Sequence, residues 1–113
     1  MDKCELAYIA GFFDGEGCVT WQKTKRKSGK IYKLLRVDIG QVDRSFLDYC
    51  EENFGGYVST RAKNKHRSKQ ENYQWTVTGN TALLFLLQII PYLRQKQQHA
   101  INCTNEWQTR NEK

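Results

Sequence analysis

The chain has 113 residues, enough for one domain with a modest hydrophobic core, and no apolar run approaches the roughly 20 residues that a membrane span needs. Its formal net charge of +6 at pH 7 favours a polyanionic partner. The four cysteines form no C-x-x-C pair, which argues against a zinc site. Free thiols and the absence of a secretory pattern at the N-terminus indicate an intracellular protein, cytoplasmic or organellar, rather than a secreted one.

The first predicted element is a helix from about Lys3 to Asp14, with Asp2 as a possible N-cap. Its apolar residues recur at helical spacing: Leu6, Ile9, Ala10 and Phe13. Ala7 and Gly11 lie one turn apart on a neighbouring face, where small side chains let another backbone approach closely. A helix with such a face, beside an apolar one, is expected to need a partner.

The C-terminal end of this helix has an unusual charge pattern. Gly15 and Gly17 are expected to end it, because glycine readily adopts the left-handed conformation of a C-cap. Asp14 and Glu16 lie at the same end, which carries a partial negative charge. A hard divalent cation bound by oxygen ligands would offset this repulsion. The alternative is that both acids are solvated, or that Asp14 hydrogen-bonds to local backbone.

After Gly17 the apolar pattern changes to period two, which predicts a hairpin. Val19 and Trp21 would face the core from the first strand, and Ser28-Gly29 marks the turn. The second strand has two faces: Leu35, Val37 and Ile39 on the core side, and Tyr32, Arg36 and Asp38 on the other.

A second helix is predicted from Phe46 to Asn53, capped by Asp43 or Ser45 and ended by Gly55-Gly56. A third strand starts at Tyr57, and a basic loop from Asn64 to Gln70 leads to a fourth strand from Asn72 to Thr78. Tyr73, Trp75 and Val77 alternate along that strand and would face the core.

The remaining chain is predicted to be helical. Asn80 or Thr81 would cap a buried helix from Ala82 to Ile90, Pro91 would interrupt it, and a last helix would run from about Leu93 to Thr109. The whole chain, residues 1–113, is therefore expected to form one α+β domain. Four strands would make one antiparallel sheet with helices on one face and water on the other.

The basic residues are concentrated in the two predicted hairpins. Seven of the 18 Lys and Arg lie between Lys23 and Arg36, and five lie between Arg61 and Lys69. No acid occurs from Gly17 to Val37 or from Tyr57 to Gln70. Such segregation matches the electrostatic footprint of a nucleic-acid binder. The alternative, a solvated sheet face with lysines at its edges, does not explain the missing acids.

Polar side chains on the outer sheet face can reach base edges in a major groove, and basic residues of the hairpins can contact phosphates. The candidate DNA-binding residues are Thr20, Gln22, Thr24, Arg26, Lys27, Lys30, Arg36, Asp38, Ser59, Arg61, Lys63, Arg67, Gln74 and Thr76. An RNA platform would present more aromatic residues on that face. Most aromatic residues of the strands fall on the core side, which favours double-stranded DNA.

Residues 9–17, IAGFFDGEG, resemble the LAGLIDADG motif of the homing endonucleases. The predicted order of elements is similar to that family's αββαββα saddle and covers nearly the whole chain. Residues 91–96, PYLRQK, resemble the family's P-x-L-x-x-K segment, which carries an active-site lysine. Gln41 ends the second strand just before a helix, as a polar residue of the family often does.

The resemblance implies hydrolysis of both strands of a long, roughly palindromic DNA site by a homodimer. The single motif implies that two copies pack their first helices together, with Ala7, Ala10, Gly11 and Asp14 at the interface. It implies no small-molecule cofactor and no membrane.

The same resemblance implies a divalent metal, Mg²⁺ above all, bound by the Glu16 carboxylate and the Gly15 carbonyl oxygen. Lys96 would stabilise charge on the phosphate or assist the nucleophile, and Gln41 would orient water. Lys96 could instead be an exposed helix lysine, and Gln41 a simple strand-end residue. Arg44 lies close to Gln41 in sequence and could join this pocket.

The sequence departs from the common motif at Glu16, which replaces the aspartate of many members and has a longer reach. Three other functions stay open: an intron-encoded RNA maturase, a non-cleaving DNA-binding regulator of the same fold, and an unrelated basic scaffold of a ribonucleoprotein. The presence of Glu16 and Lys96 weighs against the maturase, and the presence of Glu16 weighs against the regulator. The third gives no reason for D-G-E-G at a helix end.

Overall fold

The structure is a computed structural model that describes residues 1–61 and 72–111. These residues form four α-helices, four strands and a short 3-10 turn. In chain order they are α1 Lys3–Glu16, β1 Gly17–Lys25, β2 Ile31–Gln41, α2 Arg44–Phe54, β3 Tyr57–Arg61, β4 Asn72–Thr78, α3 Gly79–Ile89, the 3-10 turn Ile90–Tyr92 and α4 Gln97–Asn111. The predicted basic loop from Asn64 to Gln70 lies outside the described residues.

The four strands form one antiparallel sheet in the order β1-β2-β4-β3. Val19 of β1 pairs with Val37 of β2, and Ile39 of β2 pairs with Trp75 of β4. All four side chains are buried, as the alternation in the sequence predicted. The α+β fold with helices on one face of an antiparallel sheet is therefore confirmed.

Aromatic side chains fill the centre of the core between the helices and the sheet. Phe85 of α3 packs edge-to-face against Trp75, with ring centroids 5.0 Å apart, and against Phe54 of α2 at 4.9 Å. Phe13 of α1 meets Phe85 at 5.8 Å in the same geometry. Such pairs add to the stabilisation that burial of their surface provides.

Both ends of α1 are well defined. At the start, the Asp2 carboxylate accepts a hydrogen bond from the backbone N–H of Glu5 at 2.8 Å, which confirms the predicted N-cap. At the other end, Gly15 remains helical and Gly17 is extended, with φ −92°, so the predicted left-handed C-cap is wrong. The helix instead passes directly into β1. Glycine is required at position 17 because a Cβ there would overlap the Phe13 ring.

The start of α3 also differs from the prediction. The helix begins at Gly79, and its N-cap residue Thr78 makes no side-chain cap hydrogen bond. Asn80, a predicted cap, instead accepts a hydrogen bond from the Trp107 indole N–H at 3.0 Å. Gly79 has φ +61°, a conformation that favours glycine.

The last helix begins at Gln97 rather than near Leu93. Leu93 is extended, with ψ 150°, and the chain from Leu93 to Lys96 passes alongside the end of α1 before α4 starts. Every helix within residues 1–61 and 72–111 is too short or too polar to cross a membrane.

Candidate functional site

The candidate site lies where α1 runs into β1. Glu16 is the last residue of α1, and both Glu16 and the preceding Gly15 are exposed. No loop separates the helix from the strand, so Glu16 directly precedes β1, an edge strand of the sheet. This placement follows from the extended Gly17, whose backbone N–H still donates to the Phe13 carbonyl.

Asp14 binds the segment that precedes α4. Its carboxylate accepts hydrogen bonds from the backbone N–H groups of Arg94, at 2.8 Å, and Lys96, at 2.9 Å. Partial burial would raise the pKa of the Asp14 carboxyl, but the backbone donors, with the nearby Lys96 charge, outweigh burial and lower the pKa. Asp14 was predicted to lie at a subunit interface, whereas in the structure its carboxylate has these partners within the chain.

The Lys96 side chain reaches the same place. Its ammonium donates a hydrogen bond to the backbone carbonyl oxygen of Asp14, in the last turn of α1. That end of a helix carries a partial negative charge, which attracts a cation. The structure therefore brings the Lys96 ammonium and the Glu16 carboxylate to the same end of α1, although 80 residues of sequence separate them.

Gln41 ends β2 close to this point. Ile39 pairs with Gly17, so Gln41 lies two residues beyond the junction of α1 and β1. Its side-chain oxygen accepts a hydrogen bond from the backbone N–H of Val42 at 2.9 Å, which leaves the amide nitrogen to donate. Arg44 forms an ion pair with Asp48 at 3.0 Å.

The outer face of the sheet carries most of the predicted DNA-binding residues of the strands. Alternation places these side chains together on the face opposite the core: Thr20, Gln22 and Thr24 of β1, Arg36 and Asp38 of β2, Ser59 of β3, and Gln74 and Thr76 of β4. Arg61 belongs to β3, and Lys63 and Arg67 lie outside the described residues. At the first hairpin, Lys27 and Lys30 are exposed and the Arg26 guanidinium lies 4.4 Å from the Tyr32 ring centroid.

Two predicted site residues must be corrected. Thr76 is only 1% exposed, and its hydroxyl donates to Asp38 at 2.8 Å, so it cannot contact DNA directly. Ala10 is fully buried within the chain beside Ile9 and Phe13, so it belongs to the core rather than to a subunit interface. Ala7 and Gly11 are exposed, as an interface would require.

An aromatic cluster, not predicted from the sequence, continues the exposed side of α1. The Phe12 ring stacks on the Phe46 ring of α2, with centroids 3.9 Å apart, and Tyr8 lies 5.9 Å from the same ring while 64% exposed. Tyr8 follows Ala7 by one position, and Phe12 follows Gly11 by one. The spacing from Tyr8 to Phe12 is one helical turn, which could have identified the pair from the sequence.

The family model that describes a LAGLIDADG endonuclease matches residues 9–103. The chain belongs to the LAGLIDADG endonuclease family. Over 103 residues it is 27% identical to the DNA endonuclease I-CvuI of Chlorella vulgaris, and the match covers 88% of this chain and 61% of that protein. The chain thus spans 61% of the length of this curated relative.

Solved structures of LAGLIDADG endonucleases share the fold. I-CvuI bound to its target in the presence of calcium superposes with a TM-score of 0.74 at 24% identity, over 93% of this chain and 66% of that one. The archaeal intron-encoded I-Vdi141I, in complex with DNA, gives a TM-score of 0.74 at 17% identity, over 96% of this chain and 69% of that one.

Proposed function

We propose that this protein is a homing endonuclease that makes metal-dependent double-strand cuts in a long, roughly palindromic DNA site as a homodimer. The observation that carries this proposal is that the Lys96 ammonium binds the last turn of α1, the helix that Glu16 ends, at the border of a polar sheet face. A carboxylate that can bind a metal and an ammonium that can bind a phosphate oxygen are thereby placed next to a surface suited to a major groove.

The relatives support the same function. The curated relative is a DNA endonuclease, and the two similar structures described above hold DNA. The chain spans 61% of the length of I-CvuI, and we propose that this part has the endonuclease activity of the whole relative.

The residues present fit a hard divalent cation. Glu16 is exposed, and the neighbouring Gly15 offers a backbone carbonyl oxygen. This oxygen lies in the last turn of the helix, where carbonyl groups have no intrahelical N–H donor. Within the described part of the chain, no group of three or more His, Cys, Asp and Glu could hold a metal ion. One protomer therefore offers only part of a coordination shell, and DNA oxygens, water and a second Glu16 would complete it.

When bound, Mg²⁺ would polarise the scissile phosphate and lower the pKa of a bound water. The Lys96 ammonium has three N–H donors, and one of them binds the Asp14 carbonyl oxygen. Another N–H would donate to a phosphate oxygen on which negative charge develops. The Gln41 amide nitrogen, free while its oxygen accepts from Val42, would donate to a water at the same edge of the sheet.

The homodimer would form through α1. Ala7 and Gly11 are exposed, and a Cβ added at Gly11 would meet no atom within 4 Å, so a second helix could approach the backbone closely. The exposed Tyr8 would extend this contact with aromatic surface. A two-fold axis here would bring two Glu16 residues together and make the DNA site palindromic.

The decisive experiment is cleavage of a supercoiled plasmid that carries a duplex selected by the protein from a randomised pool, with and without Mg²⁺. We expect linear product with Mg²⁺ and none with EDTA. Glu16→Gln should abolish cleavage and leave DNA binding largely intact. Lys96→Met should also lower cleavage by a large factor, on the order of a hundredfold or more.

The matched control is Glu52→Gln, which removes the same charge from an exposed site on α2. This variant should cut as the wild-type chain does. Tight, sequence-selective binding without any cut would contradict the endonuclease and favour the non-cleaving regulator. Preference for intron RNA over duplex DNA would favour the maturase.

A further inference from the structure

One acid lies among the outward-facing described residues of the four strands. Asp38, at the middle of β2, has a side chain that is 18% exposed. A carboxylate on a surface that meets phosphates opposes binding by its charge. Its contacts show a different role, because its carboxylate binds side chains of β2 and β4, and Arg36 links it to β1.

The first contact fixes Arg36. The Nε–H of Arg36 lies 3.0 Å from both carboxylate oxygens of Asp38, and one terminal nitrogen, Nη1, donates to the side-chain oxygen of Gln22 at 2.8 Å. The hydrogen bond to Asp38 raises the pKa of the Arg36 guanidinium. The guanidinium is thus held between β1 and β2, and the Arg36 side chain is 29% exposed.

The second contact fixes Gln74 on the other neighbouring strand. Its amide nitrogen donates to Oδ1 of Asp38 at 2.6 Å, and the Thr76 hydroxyl donates to the same oxygen at 2.8 Å. Asp38 therefore accepts from β2 and from β4 at once. Among the described residues, no buried side-chain nitrogen or oxygen lacks a partner, so the arrangement is fully satisfied.

These bonds set the hydrogen-bonding polarity of two amides that would otherwise be free to rotate. Gln22 uses its oxygen on Arg36, so its amide nitrogen is what remains to face outward as a donor. Gln74 uses its nitrogen on Asp38, so its oxygen remains as an acceptor. The β1–β2 side of the face then offers donors, and the β4 side offers an acceptor.

We infer that Asp38 is a positioning residue for base recognition: it does not touch DNA, but it fixes Arg36 and Gln22 as donors and Gln74 as an acceptor toward the major groove. This inference rests on the proposed function, since it assumes that the sheet lies in a DNA groove. It also revises the sequence-based assignment of Asp38 as a residue that contacts DNA.

The inference specifies the chemistry of the base edges. The donors of Arg36 and Gln22 match the N7 and O6 acceptors of guanine, and the acceptor of Gln74 matches an exocyclic amine, either N4 of cytosine or N6 of adenine. Each half-site would therefore contain a guanine facing Arg36 and a cytosine or adenine facing Gln74.

The test compares the sequences bound by the full-length wild-type chain, Asp38→Asn and Asp48→Asn, each selected from a randomised duplex pool in EDTA so that no DNA is cut. Asp48→Asn is the matched control, because Asp48 also pairs with an arginine Nε at 3.0 Å but lies on α2. Both variants lose one negative charge and should bind random DNA somewhat more tightly. Only Asp38→Asn should lose discrimination, by roughly tenfold to a hundredfold at the position facing Arg36, because the amide nitrogen that replaces one carboxylate oxygen cannot accept from the Arg36 Nε–H.

An unchanged base preference in Asp38→Asn would overturn the inference while leaving the proposed endonuclease intact. A wild-type chain that enriches no sequence would overturn the proposed function, and the inference with it. If Asp38→Asn fails to fold by circular dichroism, Arg36→Lys provides the second test. Lysine keeps the charge but cannot contact Asp38 and Gln22 in the same way, so the guanine preference should fall while salt-dependent binding remains.

Discussion

Asp14 binds both the backbone and the side chain of Lys96. The Asp14 carboxylate accepts a hydrogen bond from the Lys96 backbone N–H at 2.9 Å, and the Asp14 carbonyl oxygen accepts one from the Lys96 ammonium. The first bond fixes where the backbone passes, and the second fixes where the charge lies. A residue of the helix motif thus positions a residue far along the chain, at the site where the proposed chemistry takes place.

Replacing Asp14 by Ala should destabilise the protein and lower cleavage together. Two backbone N–H groups would lose a charged acceptor in a partly buried position, at a cost of about 2 kcal/mol. Urea denaturation followed by circular dichroism would measure this loss. Asp43→Ala is the control, since that carboxylate accepts from a single backbone N–H, of Ser45, at an exposed helix start. If the two variants had equal stability, the role assigned to Asp14 would be wrong.

The lowered pKa of Asp14 makes its contribution to stability dependent on pH. A carboxyl whose folded pKa lies below its unfolded value stabilises the fold above the unfolded value, here 3.8, and loses this contribution as pH falls through the folded pKa. The stability difference between wild type and Asp14→Asn should therefore be constant from pH 7 to about 5 and shrink below 3.8. Urea titrations across that range would measure it, and a difference that grew in acid would contradict the sign.

Gly11→Ala separates folding of the protomer from its association. A Cβ at this position would meet nothing within the chain, and alanine favours the helix by about 1 kcal/mol, so the free protomer should be more stable. The same methyl group would keep two α1 helices apart and weaken the proposed dimer by roughly tenfold or more in dissociation constant. Sedimentation equilibrium would measure this. Asn105→Ala, at an exposed position of α4, should give the gain in helix stability without the loss of association.

Gly17→Ala should destabilise the fold without any change of charge. A Cβ there would overlap the ring of Phe13, which is fully buried and packs against Phe85, so the ring cannot simply rotate away. We expect a loss of about 1–3 kcal/mol, the usual cost of overpacking a core. The thermal midpoint would report it. Gly15→Ala is the control for stability, because a Cβ at Gly15 meets no atom within 4 Å.

Local patterns in the sequence were sufficient for the strands and for the buried face of α1. Alternation placed Val37 and Trp75 on the core side, and helical spacing placed Ile9 and Phe13 there. The helical pattern also placed Ala10 on the buried face, beside Ile9 and Phe13, and was therefore inconsistent with its assignment to an interface. Long-range contacts explain the other differences. Arg94 and Lys96 lie in the non-helical segment before α4, where their N–H groups bind the Asp14 carboxylate, and no local pattern encodes that contact.

Of the candidate site, the sequence predicted chiefly the residues that lie in segments resembling those of the family. Glu16 and Lys96 were identified by resemblance, and the structure brings both to one end of α1. The burial of Thr76 could not be read from alternation, because it depends on the carboxylate of Asp38 in a neighbouring strand. Period two assigns a face to a side chain, but it does not state which neighbours on that face will cover it.

The direct passage of α1 into β1 at Gly17 has a mechanical consequence. No loop lies between α1, which is proposed to contact a second protomer, and the edge strand β1, which is proposed to lie on DNA. The two elements are therefore expected to move together. A small change in the crossing angle of two such helices would tilt both edge strands in opposite senses and alter the distance between the two half-sites. Substitutions on the exposed side of α1 would then retune the length of the DNA target without altering a single residue of the sheet.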